Sequence, residues 1–377
     1  MQGLWFAAFG WAIAACWLWF SLRLWWFWRG ARLGHAEGSD WPRVTVIVPA
    51  RNEAASIEAC LASLAAQDYP ALQIVAVDDR SSDGTGAIMD ATAKRHACLK
   101  VVHVKALPPT WLGKTHAMHQ GFALSDGDYL LFTDGDVTFI SSTLRRAMTE
   151  MRKRSLDHLC VFPRALPGGY LETALTQYFS MMLLFSLRPW GLGRSPRIYA
   201  GIGAFNLIRT EVYRAVGGHE RLKAEIVDDM RLGFRVARSG YRSGLLFGSD
   251  ALSLRWHHSL WQLICGVEKN SFPSQGFSWV ILMATTATLL LAGVFPYLAI
   301  AVGTQGTAGY ASALIVAHAF ISYWNMRVAN APWYSAFALP AVTLLGLFAF
   351  WRSAVMITRN RGIRWRDTFY PLEFFRR

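Results

Sequence analysis

Leu-Gln-Ile-Val-Ala-Val-Asp-Asp-Arg-Ser-Ser-Asp-Gly-Thr, residues 72–85, decides the fold. An apolar, β-rich run breaks abruptly into an acidic, polar turn, the pattern of a buried strand feeding a helix. Asp83 is a good N-cap for a helix over about 84–96. Upstream, Arg43 to Val48 is a second β-branched run ending at Pro49, followed by Ile57, Leu61 and Leu64 at helical spacing over residues 53–66. Downstream, residues 100–104 read as a strand, Lys114 to Leu124 as a helix and Asp128 to Thr133 as another strand. This alternation predicts an α/β fold with a Rossmann-like, mainly parallel sheet and its ligand at the carboxyl ends of the strands.

The polar and acidic residues gather at those ends. After the first strand quoted, Asp79 either caps its turn or accepts hydrogen bonds from a nucleotide, since the helix N-terminus beyond it favours anions. After Leu-Leu-Phe-Thr comes Asp134-Gly135-Asp136, two carboxylates one residue apart on a loop leaving a buried strand. They suit a hard divalent cation, Mg²⁺ or Mn²⁺, with coordination positions left for phosphate oxygens. Asp228 and Asp229 open a further helix, where the macrodipole stabilises carboxylates. They are either only a charged first turn or include a general base facing the metal site.

Composition places this domain on a membrane. Only 17% of the 377 residues are charged, against about 25% in soluble domains. Residues 3–22, 270–326 and 328–351 contain no Asp, Glu, Lys or Arg, and each block meets the roughly 18 to 20 residues needed to span hydrocarbon. The net charge of +13 does not indicate nucleic acid. Its arginines flank the apolar blocks (Arg23, Arg29, Arg32, Arg43; Arg352, Arg359, Arg361, Arg364, Arg366) or lie along residues 145–154, as the positive-inside rule and anionic lipid head groups require. Trp25, Trp26 and Trp28 beside Arg29 form an interfacial belt, which turns the central domain toward the cytoplasm. The five cysteines show no metal or disulfide spacing.

The organisation expected is therefore an N-terminal transmembrane helix (1–28), a linker (29–42), the α/β domain (43–257) with an interfacial helix at 170–190, an interfacial segment (258–277), about three C-terminal spans (278–358) and a basic tail (359–377). Candidate spans fall near 278–301, 310–326 and 333–351, with Pro340 a candidate break. The side of the C-terminus stays open.

Four motifs in order, VTVIVPARNEAASIEACLASLAAQDYP (44–70), VAVDDRSSDGT (75–85), LLFTDGD (130–136) and VDDMRLGFRVARSGY (227–241), resemble the family-2 glycosyltransferases with a GT-A type domain. PPTWLGKTHAMHQG (108–121) looks like a membrane-associated branch glycosylating carotenoid, hopanoid-associated and sphingolipid-type acceptors. The resemblance implies that Pro49, Arg51 and Glu53 line the nucleotide pocket and that Asp79 bonds the base. Lys114 would sit near the donor, Asp134 near the ribose or sugar, and Asp136 on Mn²⁺ or Mg²⁺. Asp229 matches the catalytic base of the acidic Asp228-Asp229 pair.

The implied activity is that of a membrane-bound, inverting hexosyltransferase in the cell membrane, multi-pass, with a cytoplasmic catalytic domain. It would move one sugar from a UDP- or GDP-sugar to a lipid acceptor hydroxyl. Alternatives are a polyprenyl-phosphate acceptor and a catalytically silent membrane scaffold of the same fold. The QxxRW motif of processive synthases is missing from Leu263–Asn270, which argues against polymerisation. Trp256, His257 and Lys269 are candidates for the acceptor side, with packing and juxtamembrane snorkelling as the other readings.

Overall fold

A computed structural model describes residues 2–304, 306–365 and 367–375. Arg366, Arg376 and Arg377 of the expected basic tail lie outside the described residues. The chain forms two compact units. Gly30–Arg164 with Leu187–Arg255 make an α/β unit, and the remaining described residues make an apolar one.

In the α/β unit seven strands form one sheet: β1 (Val44–Ala50), β2 (Leu72–Asp79), β3 (Leu99–Val104), β4 (Tyr129–Phe132), β5 (His158–Phe162), β6 (Asn206–Arg209) and β7 (Ser243–Phe247). Their order is β3-β2-β1-β4-β6-β5-β7. β6 runs antiparallel to both neighbours, and the other adjacent pairs are parallel. Helices α1 (Ile57–Ala65), α2 (Thr85–Ala93), α3 (Gly113–Ala123), α4 (Thr143–Lys153), α5 (Thr210–Ala215) and α6 (Asp228–Arg238) connect them. This is the mainly parallel sheet that the strand–helix alternation predicts.

β1 is buried along its whole length, as a strand covered on both faces must be. Its one polar side chain is satisfied: the Thr45 hydroxyl donates to Gln73 at 2.7 Å and accepts from the Gly127 amide at 3.0 Å. Pro49 lies beyond Ile47, where pairing with β4 ends, so its missing N–H falls outside that ladder. Gly121 lets α3 lie on β1; a Cβ there would stand 2.5 Å from Cγ2 of Ile47. Met118, Leu130, Phe132, Ile208, Tyr213, Leu232 and Val236 continue this core. From β1 the chain winds outward through β2 to β3, then returns to place β4 on the other side of β1. That reversal is the switch point where open α/β sheets bind ligands, and the acidic loops leave from it.

Helix starts differ slightly from expectation. α2 is capped by Gly84 at φ +90°. Asp83 stands one residue earlier, still accepting from the Thr85 amide at 3.1 Å.

In the apolar unit, two helices among the described residues are long and apolar enough to cross a membrane, Leu4–Gly30 and Trp333–Asn360. At about 1.5 Å per residue both exceed a hydrocarbon core of roughly 30 Å. A third candidate is bent by 120° between Leu260–Ser274 and Trp279–Gly293, a broken span or a re-entrant loop. The expected span at 278–301 is interrupted at Val294, where a new helix, Phe295–Ala301, starts with Pro296 in its first turn. Pro340 does not end the span: it lies where the 3-10 turns of Trp333–Ala338 pass into the α-helix Leu339–Asn360, in whose first turn a proline's missing N–H is not needed. Residues 170–187 form one helix.

Candidate active site

Three loops leave β1, β2 and β4 at adjacent positions in the sheet, and the first two are stitched together. Asn52, at φ +54°, donates its amide to Ser81 at 3.0 Å, and its side-chain oxygen accepts from the Ser82 amide at 2.9 Å. The Glu53 amide donates to the Thr85 hydroxyl at 2.8 Å. The two loops that carry Arg51 and Asp79 are thereby held as one surface.

The paired aspartates at the end of β2 have separate partners. Asp78 is structural: it accepts from the Ser81 amide at 3.1 Å and meets His103 at 3.0 Å. Asp79, 3% exposed, receives a two-pronged contact from Arg80 at 2.8 and 3.2 Å and has Arg51 at 3.8 Å. Gly113 opens α3 directly against it, since a Cβ there would lie 2.2 Å from the Asp79 carboxylate. At that helix start the Trp111 ring meets His116 edge-on at 5.5 Å and lies tilted against His119 at 4.9 Å.

Lys114, one residue into α3, links two of the acidic motifs. Its ammonium lies 2.6 Å from Asp134 and 3.9 Å from Asp228. Burial alone would lower its pKa, but the carboxylates of Asp134, Asp228 and Asp229 outweigh burial and hold it above the ordinary lysine value. Asp136 is half-buried. Burial first, then the neighbouring carboxylates of Asp134 and Glu53, raise its carboxyl above the usual range.

Such crowding of carboxylates suits a divalent cation. Among the described residues no group of three or more His, Cys, Asp or Glu is arranged to hold a metal ion. One or two carboxylates are nevertheless what Mg²⁺-type sites use when substrate phosphates complete the shell. Asp134 and Asp136 fit that role by their chemistry.

At the start of α6, Asp228 is buried and Asp229 is partly open. Asp229 accepts from the Met230 amide at 2.8 Å. Burial and then the Asp228 charge push its carboxyl up to about 6, against the pull of Lys114. The helix start is pressed onto residues 200–203. A Cβ on Gly201 would be 2.1 Å from the Asp229 carbonyl oxygen, and one on Gly233 would be 1.8 Å from that of Ala200. A Cβ on Gly203 would stand 2.8 Å from Asp134 and 3.5 Å from the Lys114 ammonium.

Pro49, Arg51, Glu53, Asp79, Lys114, Asp134, Asp136, Asp228 and Asp229 thus belong to one unit. Trp256, His257 and Lys269 belong to the other. There the Trp256 ring meets Phe179 edge-on at 6.4 Å, His257 lies so close to Gly266 that a Cβ would meet its ring at 2.2 Å, and Lys269 stands 3.8 Å over Trp365. Sequence reading gave no role to Asn52, Gly201, Gly203, Tyr213 or His219. The Gly-Ile-Gly-Ala-Phe run at 201–205 and Gly217-Gly218-His219 were the available signals, because paired glycines mark close backbone approach.

Residues 45–217 match the profile of glycosyl transferase family 2. The 4,4'-diaponeurosporenoate glycosyltransferase of Staphylococcus aureus strain MRSA252 is 27% identical over 195 residues, 50% of each chain. The chain therefore spans about half the length of the curated relatives it matches. Among solved structures, a mannosyltransferase from Pyrobaculum calidifontis in complex with GDP-Man and Mn²⁺ superposes with a TM-score of 0.55 at 21% identity. The match covers 94% of this chain and 98% of that one, and it supports the fold.

Proposed function

From the premise that this chain carries a family-2 glycosyltransferase domain of GT-A type, we propose that it is a membrane-bound, non-processive, inverting enzyme. It transfers one sugar from a UDP- or GDP-sugar to a lipid hydroxyl. The observation that carries this reading is the Lys114 bridge, 2.6 Å from Asp134 and 3.9 Å from Asp228. It draws the acidic loop after β4 and the acidic start of α6 into one site. Donor and acceptor chemistry need that proximity.

In the proposed reaction Asp79 and Arg51 hold the nucleoside, and Lys114 and Asp134 orient the donor. Asp229 takes the proton from the acceptor hydroxyl as its oxygen bonds to the anomeric carbon. The bond from that carbon to the β-phosphate oxygen breaks, and its electron pair leaves with the nucleoside diphosphate. Attack opposite the leaving group inverts the anomeric centre. Asp134 and Asp136 would hold Mg²⁺ or Mn²⁺, which when bound offsets the negative charge gathering on the diphosphate. The general base contributes a typical factor of about 10²–10⁴.

Two features support a lipid acceptor and a multi-pass membrane setting. One is the pair of helices long enough to span, and the other is a relative named for glycosylating 4,4'-diaponeurosporenoate. The arginine and tryptophan belt at residues 23–32 supports a cytoplasmic α/β unit.

The test uses purified protein in detergent with labelled UDP- and GDP-sugars, Mn²⁺ and a bacterial lipid extract. Label is expected to enter the organic phase with wild type and not with Asp136→Ala or Asp229→Asn. Absence of both turnover and metal-dependent nucleotide-sugar binding would favour a silent scaffold.

A further inference from the structure

Behind the acidic pair of α6 lie two buried polar side chains that the proposed reaction does not use, Tyr213 and His219. Tyr213 and His219 are each 1% exposed and Asp228 3%. The backbone N–H of His219 donates to the Tyr213 hydroxyl oxygen at 2.9 Å. That oxygen, having accepted once, directs its own proton to Nδ1 of His219, 2.8 Å away. An Nδ1 that accepts leaves the ring proton on Nε2, and Nε2 faces Oδ2 of Asp228 at 3.7 Å. The contact is longer than a hydrogen bond but close enough for an N–H dipole to act on a carboxylate in a poorly solvated site.

The turn is shaped for this arrangement. Gly217 and Gly218 have φ of +87° and +51°, and a Cβ on Gly218 would stand 2.8 Å from the Tyr213 ring. Phe132 meets His219 edge-on at 4.7 Å and Tyr213 at 5.2 Å, fixing both rings in the core. Burial lowers the His219 pKa below the ordinary histidine value, while Asp228 opposes it. Around Asp228 stand Lys114 from α3 and Asp229 from its own helix, and Lys114 continues to Asp134.

We propose that Tyr213 and His219 are positioning residues that hold Asp228, and through it Lys114, in register with the donor-side carboxylate Asp134. Asp228 then serves as the anchoring charge, and Asp229 is left to face the acceptor. This rests on the reading of Lys114 and Asp134 as donor-side groups given above.

The test compares wild type, His219→Leu, His219→Gln, Tyr213→Phe and Asp229→Asn, as full chains in detergent with Mn²⁺. Calorimetry measures binding of GDP-mannose and UDP-glucose, and melting temperature is recorded for each variant. His219→Leu is expected to weaken binding of the preferred donor about tenfold, the order expected when a charged site loses a supporting polar contact. His219→Gln, whose amide N–H can replace Nε2–H, restores most of it, and Tyr213→Phe falls between. Asp229→Asn binds the donor like wild type and loses turnover. Wild-type donor affinity in His219→Leu, or a loss that tracks melting temperature with no rescue by Gln, overturns the positioning role. Full turnover by Asp229→Asn sinks the base assignment alone and leaves the His219 result standing. If wild type binds neither nucleotide sugar, both readings fall.

Discussion

At the scale of single residues, the environment of Asp229 makes a directional statement about pH. Its carboxyl is raised to about 6 by burial and by Asp228, and a general base acts only when ionised. As pH falls through about 6 the ionised fraction drops, approaching tenfold per unit below it, so kcat should show an acid limb near 6 and a plateau above 7. Asp229→Asn removes the titrating group; kcat should fall by about 10²–10⁴ and the limb should disappear. A limb unchanged in the variant would assign it to another group. Two glycines separate chemistry from stability in the same way. A Cβ on Gly203 meets side-chain atoms of Asp134 and Lys114, whereas one on Gly233 meets the Ala200 carbonyl at 1.8 Å. Gly203→Ala should raise the donor KM with little change in melting temperature. Gly233→Ala forces backbone apart and should cost on the order of 1–3 kcal/mol, as overpacking does, seen as a lower denaturation midpoint.

At the scale of elements, the loops after β1 and β2 depend on one another through Asn52. Asn52→Gly keeps the left-handed backbone but loses the bond from the Ser82 amide, while Asn52→Ala loses both. Ala should therefore be the more damaging, weakening nucleotide-sugar affinity further than Gly; equal effects would mean that the backbone conformation contributes nothing. These loops were legible because each follows a strand whose β-branched run stops at Pro49 or at Asp78-Asp79. Their hydrogen-bonded stitching was not, since a single sequence does not say which polar residues of two distant turns meet. β6 escaped notice for a similar reason: Asn206–Arg209 is only four residues long, and its antiparallel place between β4 and β5 depends on partners more than 40 residues away. In the apolar unit composition located the hydrocarbon-compatible blocks but not their breaks. Pro340 looked like a break and lies harmlessly in a first turn, while the sharp bend falls at 275–278, where Gly276 and Phe277 both adopt positive φ.

At the scale of the whole molecule, the proposed reaction requires the α/β unit on the side where nucleotide sugars are made. The N-terminal helix exposes Trp5, Trp11, Trp19 and Trp26. Its last turns carry Arg23 over Trp19 at 5.6 Å and Arg29 over Trp25 at 4.8 Å, an arrangement that suits a head-group boundary. In the proposed orientation that end faces the cytoplasm, the side the charge rule favours. Cysteine chemistry offers a direct check. Cys60 and Cys160 are buried, and burial raises both thiols far from the thiolate form, so neither should react with a maleimide. Replacing Cys16, Cys98 and Cys265 by serine leaves a silent background, into which Lys94→Cys places one exposed thiol at the end of α2. A membrane-impermeant maleimide should label it in inverted inner-membrane vesicles and leave it unlabelled in intact spheroplasts. Labelling in spheroplasts would put Asp134, Asp136 and Asp229 on the outer face, away from cytosolic nucleotide sugars. The donor would then have to be a lipid-linked sugar, and the base and metal roles assigned to those carboxylates would need a different leaving group.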